Sequence, residues 1–536
     1  MNKTIRMISS SFALLLLVLL PATLWLGSCD YSYWDEMDNI QDYTYDPVFA
    51  IPLVDASISI DDLFEIGEFD QINVDDENLI TLVYMGEVFS LSASDLFSID
   101  DQVQDISFTE IDPVAGGSVT LDPKVFLITF DNSEILSYIS FLEGNFAVTI
   151  QADELQQDGY DLTATYQILN SDNGSGENIG DVVSLDTPGN TDLSGSSINF
   201  DNDANFFQVE YTITISGNGN PVNAPYSINF SQSLTNLQFD LLEGYIDQIA
   251  FPIGNTSVSL GLFNNTTNGN IHFANPTIDF TFNNSFGAEI DLITSEFYAV
   301  DIDSDTLPLG GSAFNEPWRV LAAQTPEEGN RITNLQLNHD NTNLFEITGQ
   351  SPRKLFYNVN GLINPDADGQ TTNWIKHDSN LSIDMEVNLP LWGLVNIYEL
   401  RDTTELTLTE LPEELEWAEM KLSVSNEFPL GVNVQAIAVD ENYQPLDTLF
   451  KDQPQFLVAA PVDPISGIVT EAAESTLTET ISHERIELLK QATNIVLKAS
   501  MNSWDYDNGS VVKILDNYRL GLKMGVRGKA RITTEF

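Results

Sequence analysis

The sequence predicts an all-β protein built of multiple antiparallel β-sandwich-like modules with a few short helices. Three observations carry that prediction. Apolar and polar residues alternate with period two over long stretches, clusters of Asn, Asp, Gly and Ser separate those stretches, and helical periodicity is confined to short segments. Within residues 207–215, Phe207, Val209, Tyr211, Ile213 and Ile215 are apolar, while Gln208, Glu210, Thr212 and Thr214 are polar. Such a segment turns one face to a core and the other to water, as strands of antiparallel sheets do. Val258, Leu260 and Leu262 alternate likewise, as do Leu381, Ile383, Met385, Val387 and Leu389. Residues 171–176 (SDNGSG) and 217–221 (GNGNP) supply turn chemistry.

Along the chain, the first 28 residues have the order of a secretory signal. Lys3 and Arg6 precede an apolar run at 12–20, which Pro21 breaks. That run is short for a helix crossing ~30 Å of hydrocarbon. Leu26-Gly27-Ser28-Cys29 follows, and Cys29 is the only cysteine in 536 residues. This segment resembles the bacterial lipobox, with Gly and Ser exchanged relative to the usual order. The resemblance implies cleavage before Cys29 and a membrane anchor of several acyl chains on it, which makes attachment persistent. It also leaves no thiol for a disulfide.

Residues 29–46 read as the acylated cysteine and a tether rich in Tyr and Asp. Residues 47–115 read as a small N-terminal module, 116–305 as a central β-sandwich region, 306–331 as a linker and 332–536 as a C-terminal β-sandwich region. Short turns of helix are expected at 60–64 and 94–97. The best helical pattern is 482–492, with Ile486 and Leu489 on one side and Ser482 as cap. One similarity recurs inside the chain. Ile278, Phe280 and Phe282 lead into Asn284, Phe286 and Gly287, and Met420, Leu422 and Val424 lead into Asn426, Phe428 and Pro429. It reads as a repeated strand-turn-strand corner rather than as two binding modules, and it predicts similar sandwiches in the middle and the C-terminal part.

Composition narrows the function. The net charge of −61 becomes −63 once residues 1–28, with Lys3 and Arg6 and no acid, are removed. Between Asp30 and Trp318 the only cation is Lys124. Such a surface repels nucleic acid, so no nucleic-acid partner is expected. It favours solubility, divalent cations and neutral or basic partners. With 42% hydrophobic residues, the chain has enough apolar material for folded cores despite this charge.

Catalytic motifs are lacking in the sequence. His272, His339, His377 and His483 are scattered, and neither HExxH, GxSxG nor a phosphate-binding loop occurs. No catalytic residue is nominated and the chain is read as no enzyme, with a two-carboxylate glycoside hydrolase as the competing class. Calcium is the cofactor that the acidic loops suggest. Asn364, Asp366 and Asp368 alternate before Gly369, like the first half of an EF-hand-type loop, although Ile375 stands where that loop has its acidic twelfth residue. Asp301, Asp303 and Asp305 repeat the spacing, as do Asp201, Asp203 and Asn205, although in strand-rich acidic chains such triplets are more often solvated turns or one face of a strand. Trp374, Trp392, Trp417 and Trp504 are the aromatic platforms a glycan would need, though tryptophan in sandwiches serves mainly packing. Arg519, Lys523, Arg527, Lys529 and Arg531 form a cationic stripe suited to the chain's own acidic neighbours.

Asp305-Thr306-Leu307, Asp402-Thr403-Thr404 and Asp447-Thr448-Leu449 resemble an O-glycosylation sequence of Bacteroidota-type bacteria. With the acidic, Asn-rich, all-β body, the chain resembles uncharacterised surface lipoproteins of that group. The expectation is a lipoprotein on the outer membrane, at the cell surface or its periplasmic face, that acts as a non-enzymatic binding, adhesion or scaffold protein with a glycan or an envelope protein as partner. A glycan-binding or glycan-hydrolysing accessory lipoprotein and a periplasmic lipid-binding or assembly factor are the alternatives.

Overall fold

The computed structural model describes residues 43–59, 71–129, 135–200, 205–221, 225–263, 266–405, 415–449, 451 and 456–534. Strands dominate, and they form three sandwiches of the same topology. In each, the sandwich's first strand pairs with its last in one sheet, and in sandwich II Gln71–Val74 also pairs with the outer side of that first strand. The second strand lies in the facing sheet, and the remaining strands divide between the two.

In sandwich I the first strand, Gln102–Ile111, pairs with the last, Tyr226–Tyr245. The last strand pairs with Ile135–Gln151, which in turn carries Gly189–Asp192 and Ser197–Asn199. In the facing sheet, Phe206–Asn218 is flanked by Gly116–Thr120 and Lys124–Thr129 on one side and by Asp161–Ile168 on the other. Gly180–Ser184 lies beyond Asp161–Ile168. Strict alternation, as in Asp161–Ile168, drives every second side chain into the space between the sheets. There Tyr166 meets Phe146 at 5.3 Å and Tyr211 meets Phe230 at 4.9 Å between ring centres.

Sandwich II repeats the order. Ile80–Ser92 pairs with Asn380–Pro390, which pairs with Thr277–Asn284 and through it with Arg331–Leu337. Its facing sheet runs Ile249–Ser259, Lys354–Ile363, Ile290–Val300 and Thr306–Pro308. Sandwich III does so again, with Val48–Ser59, Arg519–Ala530, Leu415–Asn426 and Ala473–Ser482 facing Trp392–Glu405, Asn494–Ser503, Leu430–Val439 and Pro445–Leu449, to which Thr266–Phe273 adds beside Trp392–Glu405.

The three sandwiches are therefore nested in the chain. Their first strands come in the order III, II, I, and the bodies then follow in the order I, II, III. The chain climbs through the three first strands and returns through the bodies, with Thr266–Phe273 leaving sandwich II on the way to pair with Trp392–Glu405 of sandwich III. This divides it differently from the sequence reading. Residues 47–115 supply the first strands of all three sandwiches, and residues 306–331 lie inside sandwich II, where Trp318 is buried beside Phe280. An edge strand needs only one partner, so period-two alternation says that a strand exists without saying which distant strand it joins.

The junctions are paired as well. Asn373–Lys376 of sandwich II adds to Leu241–Gly244 of sandwich I, and Val512–Lys513 of sandwich III adds to Trp392 and Gly393 as the chain leaves sandwich II. Tyr43–Tyr45, expected as part of a tether, pairs with Ile532–Thr534.

The helices are few. His483–Leu489 forms with Ile486 and Leu489 buried and the Ser482 hydroxyl accepting from the Arg485 amide, as its pattern predicts. Ala93–Leu96 is closed by a capping box between Ser92 and Asp95. The turn expected at 60–64 lies outside the described residues.

Candidate functional sites: acidic loops, aromatic residues and a repeated corner

The residues nominated for calcium are drawn into three different jobs. Asn364 stands in the left-handed region at φ 50°. Its side-chain amide donates to the Ile246 carbonyl, and its backbone N–H donates to Glu289 at 2.8 Å, so it staples sandwich II to the segment entering it. An Asp366 carboxylate oxygen accepts from Arg319 Nη1 at 2.6 Å. Asp368 folds back on its own turn, Oδ1 accepting from the amides of Gln370 and Thr371 and Oδ2 from the Thr371 hydroxyl at 2.7 Å. The Thr371 backbone donor, with the others, pulls the Asp368 carboxyl down to about 2. Among the described residues, no three His, Cys, Asp or Glu side chains are placed to hold a metal ion.

Positive charge in this region comes from Arg319, the first cation after Lys124. Its guanidinium reaches Asp291 at 2.5 Å and Glu289 and Asp366 at 2.6 Å. Hydrogen bonding to Asp291 above all, then to Asp366, raises its pKa and keeps it protonated. One arginine thus gathers carboxylates from the start of Ile290–Val300 and from the 364–369 loop.

The other acidic triplets have a backbone explanation. Asp301 Oδ1 accepts from the amides of Asp303 and Asp305, both at 2.9 Å, while Ser304 takes φ 71°. Asp440 does the same for Asn442 and Gln444 with Tyr443 at φ 59°, and Asp75 for Glu77 and Leu79 with Asn78 at φ 64°. Among the described residues the same five-residue hairpin loop thus recurs at Asp75, Asp301 and Asp440, its first Asp satisfying two inward-facing amides. In it Asp303 and Asp305 need only be polar. Asp201 and Asp203 lie outside the described residues, and Asn205 accepts from the Leu136 amide at 2.8 Å. Cys29 also lies outside them.

Three of the four nominated tryptophans, Trp374, Trp392 and Trp417, have their rings packed within the fold. Lys513 sits over Trp392 at 5.0 Å and Arg527 over Trp417 at 5.7 Å. Trp374 covers Gly287 so closely that a Cβ there would meet the indole at 2.5 Å. The Trp504 amide donates to the Pro429 carbonyl at 2.9 Å. The cationic stripe pairs inward as expected. Arg527 binds Glu419 at 2.7 Å, Lys529 binds Glu416 at 2.7 Å and Asp46 at 3.0 Å, and Arg531 binds Glu416 at 2.6 Å. Of the Asp-Thr sequences, Thr306 and Thr403 are exposed and Thr448 is half-buried. The histidines stay apart. His272 lies against Gly349 and Phe345, His483 contacts the Leu415 carbonyl, and His339 and His377 lie near Asp340 and Asp240.

Two well-formed cavities have volumes of about 20 and 10 Å³, each room for roughly one water. The larger is apolar and lies where sandwich I meets II, among Phe97, Leu136, Leu242, Ile246 and Ile375.

The strongest local construction is the repeated corner. Asn284, fully buried, donates to the carbonyls of Ala288 and Leu321 at 3.0 and 3.1 Å and accepts from the Phe286 amide at 3.0 Å. Asn426 donates to Leu430 and Val458 at 3.0 and 2.8 Å and accepts from the Phe428 amide at 2.9 Å. Around them, the Ala323 amide donates to Phe286 and the Ala460 amide to Phe428. The similarity in sequence thus extends to the same hydrogen bonds in two sandwiches of one topology. The importance of the asparagines was legible only as a spacing, because their burial depends on carbonyls more than thirty residues away.

Among the described residues, no helix is long and apolar enough to cross a membrane. No protein-family model and no curated protein matches the chain. Among solved structures, it resembles a presumed secreted protein from Parabacteroides distasonis ATCC 8503. That match has 13% identity and a TM-score of 0.29, covering 54% of this chain and 88% of that one. It resembles more weakly the tandem CBM22 domains of Paenibacillus barcinonensis Xyn10C, at 11% identity and a TM-score of 0.14 over 54% of this chain and 86% of that one. The VP2 subviral particle of infectious bursal disease virus matches at 9% identity and a TM-score of 0.13, over 82% of each chain. Overlaps this loose carry no argument about function.

Proposed function

We propose that the chain is a lipid-anchored, extracytoplasmic scaffold or binding protein of the bacterial envelope, without catalytic activity. In this reading sandwich III stands next to the membrane and sandwich I meets a neutral or basic partner. The observation that supports it is the pairing of Tyr43–Tyr45 with Ile532–Thr534. Tyr43, fourteen residues after Cys29 in the sequence, pairs with Thr534 at one end of sandwich III. The other end of that sandwich holds the contacts with sandwich II, where Leu79 bridges Leu515 and the Ile80 amide donates to Ile514. Sandwich I lies beyond sandwich II, with Lys124 as its one cation against many acids.

Fractionation tests the anchor. Wild-type chain is expected in the membrane fraction with label from a fatty-acid precursor, and Cys29→Ala in the soluble fraction without label. Equal partition of both would overturn the anchor. Protease shaving of intact cells tests the surface assignment, which a fully protected body would sink. A glycan and co-purification screen on the soluble mature chain then asks what sandwich I binds. Retention only through sandwich III would contradict the proposed orientation.

A further inference from the structure

Nesting has a mechanical consequence. Neighbouring sandwiches are joined by one climbing connection through the first strands and by the returning chain. The returning chain also sends Thr266–Phe273 from sandwich II to pair with Trp392–Glu405 of sandwich III and Asn373–Lys376 to pair with Leu241–Gly244 of sandwich I. The climbing connection runs from Tyr43 through Val48–Ser59 and Ile80–Ser92 to Gln102, the start of sandwich I. It is the short path, at most about 200 Å when fully extended at ~3.4 Å per residue. The returning path passes through every strand of the bodies of II and III.

We infer that the two first strands are the tension member between the N-terminal attachment and sandwich I, each held in shear by the last strand of its own sandwich. Val48–Ser59 lies antiparallel to Arg519–Ala530 from Val48 opposite Lys529 to Ser59 opposite Arg519. Ile80–Ser92 lies antiparallel to Asn380–Pro390 from Thr81 opposite Pro390 to Ser92 opposite Asn380. Inter-strand hydrogen bonds run perpendicular to the strands. A pull along either first strand therefore strains its whole ladder at once, and sliding requires the bonds to fail together. Pulling Tyr43 away from Thr534 does the opposite. These residues face each other at adjacent ends, so the bonds open one after another.

The two strands are held unequally. Ile80–Ser92 buries Ile80, Leu82, Val83 and Tyr84, and the Tyr84 hydroxyl accepts from the Leu262 amide at 3.0 Å. Each ladder has one register shift, but Ile80–Ser92 is also paired on its other side by Gln71–Val74, whereas Val48–Ser59 leaves Val48 61% and Phe49 37% exposed. Its charged contacts are Lys523 with Asp55 at 3.7 Å and, just before the strand, Asp46 with Lys529 and Arg531. Under tension the strand of sandwich III slips first. Sandwich II holds longer, and sandwich I keeps its fold.

A role for this tension in the cell rests on the anchored reading above, whereas the path itself does not. Single-molecule pulling on the unacylated mature chain separates the two. One handle is placed at residue 29. The other is inserted at Ser175, in an exposed turn of sandwich I, or placed at the C-terminus. The first rupture is expected at a force at least about two-fold higher for the Ser175 handle than for the C-terminal one, because forced unfolding follows the barrier crossed. In a Cys29→Ser chain, a disulfide between Ser57→Cys and Gly521→Cys, which face each other, should raise the Ser175 rupture force further. Reductant should restore it. Equal or lower force from the Ser175 handle, or a lock without effect, would overturn the proposal. Failure of fractionation would leave these forces unchanged and overturn only the anchor.

Discussion

Replacing Asn284 by alanine tests whether the repeated corner holds sandwich II together. The side chain makes three hydrogen bonds to backbone in a site without solvent, at 3.0, 3.1 and 3.0 Å. Alanine leaves the carbonyls of Ala288 and Leu321 and the amide of Phe286 without these partners. Each typical hydrogen bond contributes ~1 kcal/mol net, and a stranded buried group costs ~1–3 kcal/mol, so the substitution should cost about 3–5 kcal/mol. A single global transition measures the loss only where unfolding is two-state, which a chain of three sandwiches does not guarantee. Amide hydrogen exchange resolved by peptide is the appropriate assay. At ~1.4 kcal/mol per tenfold, protection around Phe286 and Leu321 should fall at least about 100-fold while that of residues 102–245 is unchanged. Asn426→Ala should weaken sandwich III by the same amount within about 1 kcal/mol, since its bonds are the same in kind and length. A loss below about 1 kcal/mol at either corner, or unequal losses, would refute the reasoning.

Three further outcomes follow from the sites described. Asp368 is held to about 2 in the folded chain against an ordinary 3.8. A depressed pKa contributes stability above about pH 4 and loses it as pH falls through 2, so exchange of the Thr371 amide, corrected for its intrinsic rate, should accelerate across that window and stay level above it. Gly287→Ala drives a methyl into the Trp374 indole and should cost about 1–3 kcal/mol in sandwich II, with a shift in tryptophan emission; an unchanged spectrum and stability would mean the ring is not fixed there. Millimolar calcium and EDTA should leave the Tm unchanged, because Asp366 is committed to Arg319 and Asp368 to its own turn. A clear rise with calcium would show that the ion displaces these partners.

Much of the architecture was written locally. Period-two alternation is a property of single strands, so residues 207–215 and 381–389 announced their buried faces without any knowledge of their neighbours. The cap at Ser482 and the inward pairing of the cationic strand were also legible, since both depend on residue type at fixed spacing. The acidic triplets leave turn and ion site undivided in the sequence, because an Asp that accepts two loop amides has the same spacing as one that binds calcium. Only the φ of Ser304 and Tyr443 and the direction of the amides tell the two apart.

The sequence by itself determined that this chain forms antiparallel sandwiches, carries a lipobox-like cysteine and presents a strongly anionic surface. Each of those follows from residue type and near spacing. Which strand closes which sandwich was decided only in the tertiary structure. Val48–Ser59 finds Arg519–Ala530, and Ile80–Ser92 finds Asn380–Pro390, across hundreds of residues. The physical reason is that backbone hydrogen bonds are the same for every strand. Partner choice therefore rests on the buried faces and junction contacts that exist only once all three sandwiches have formed.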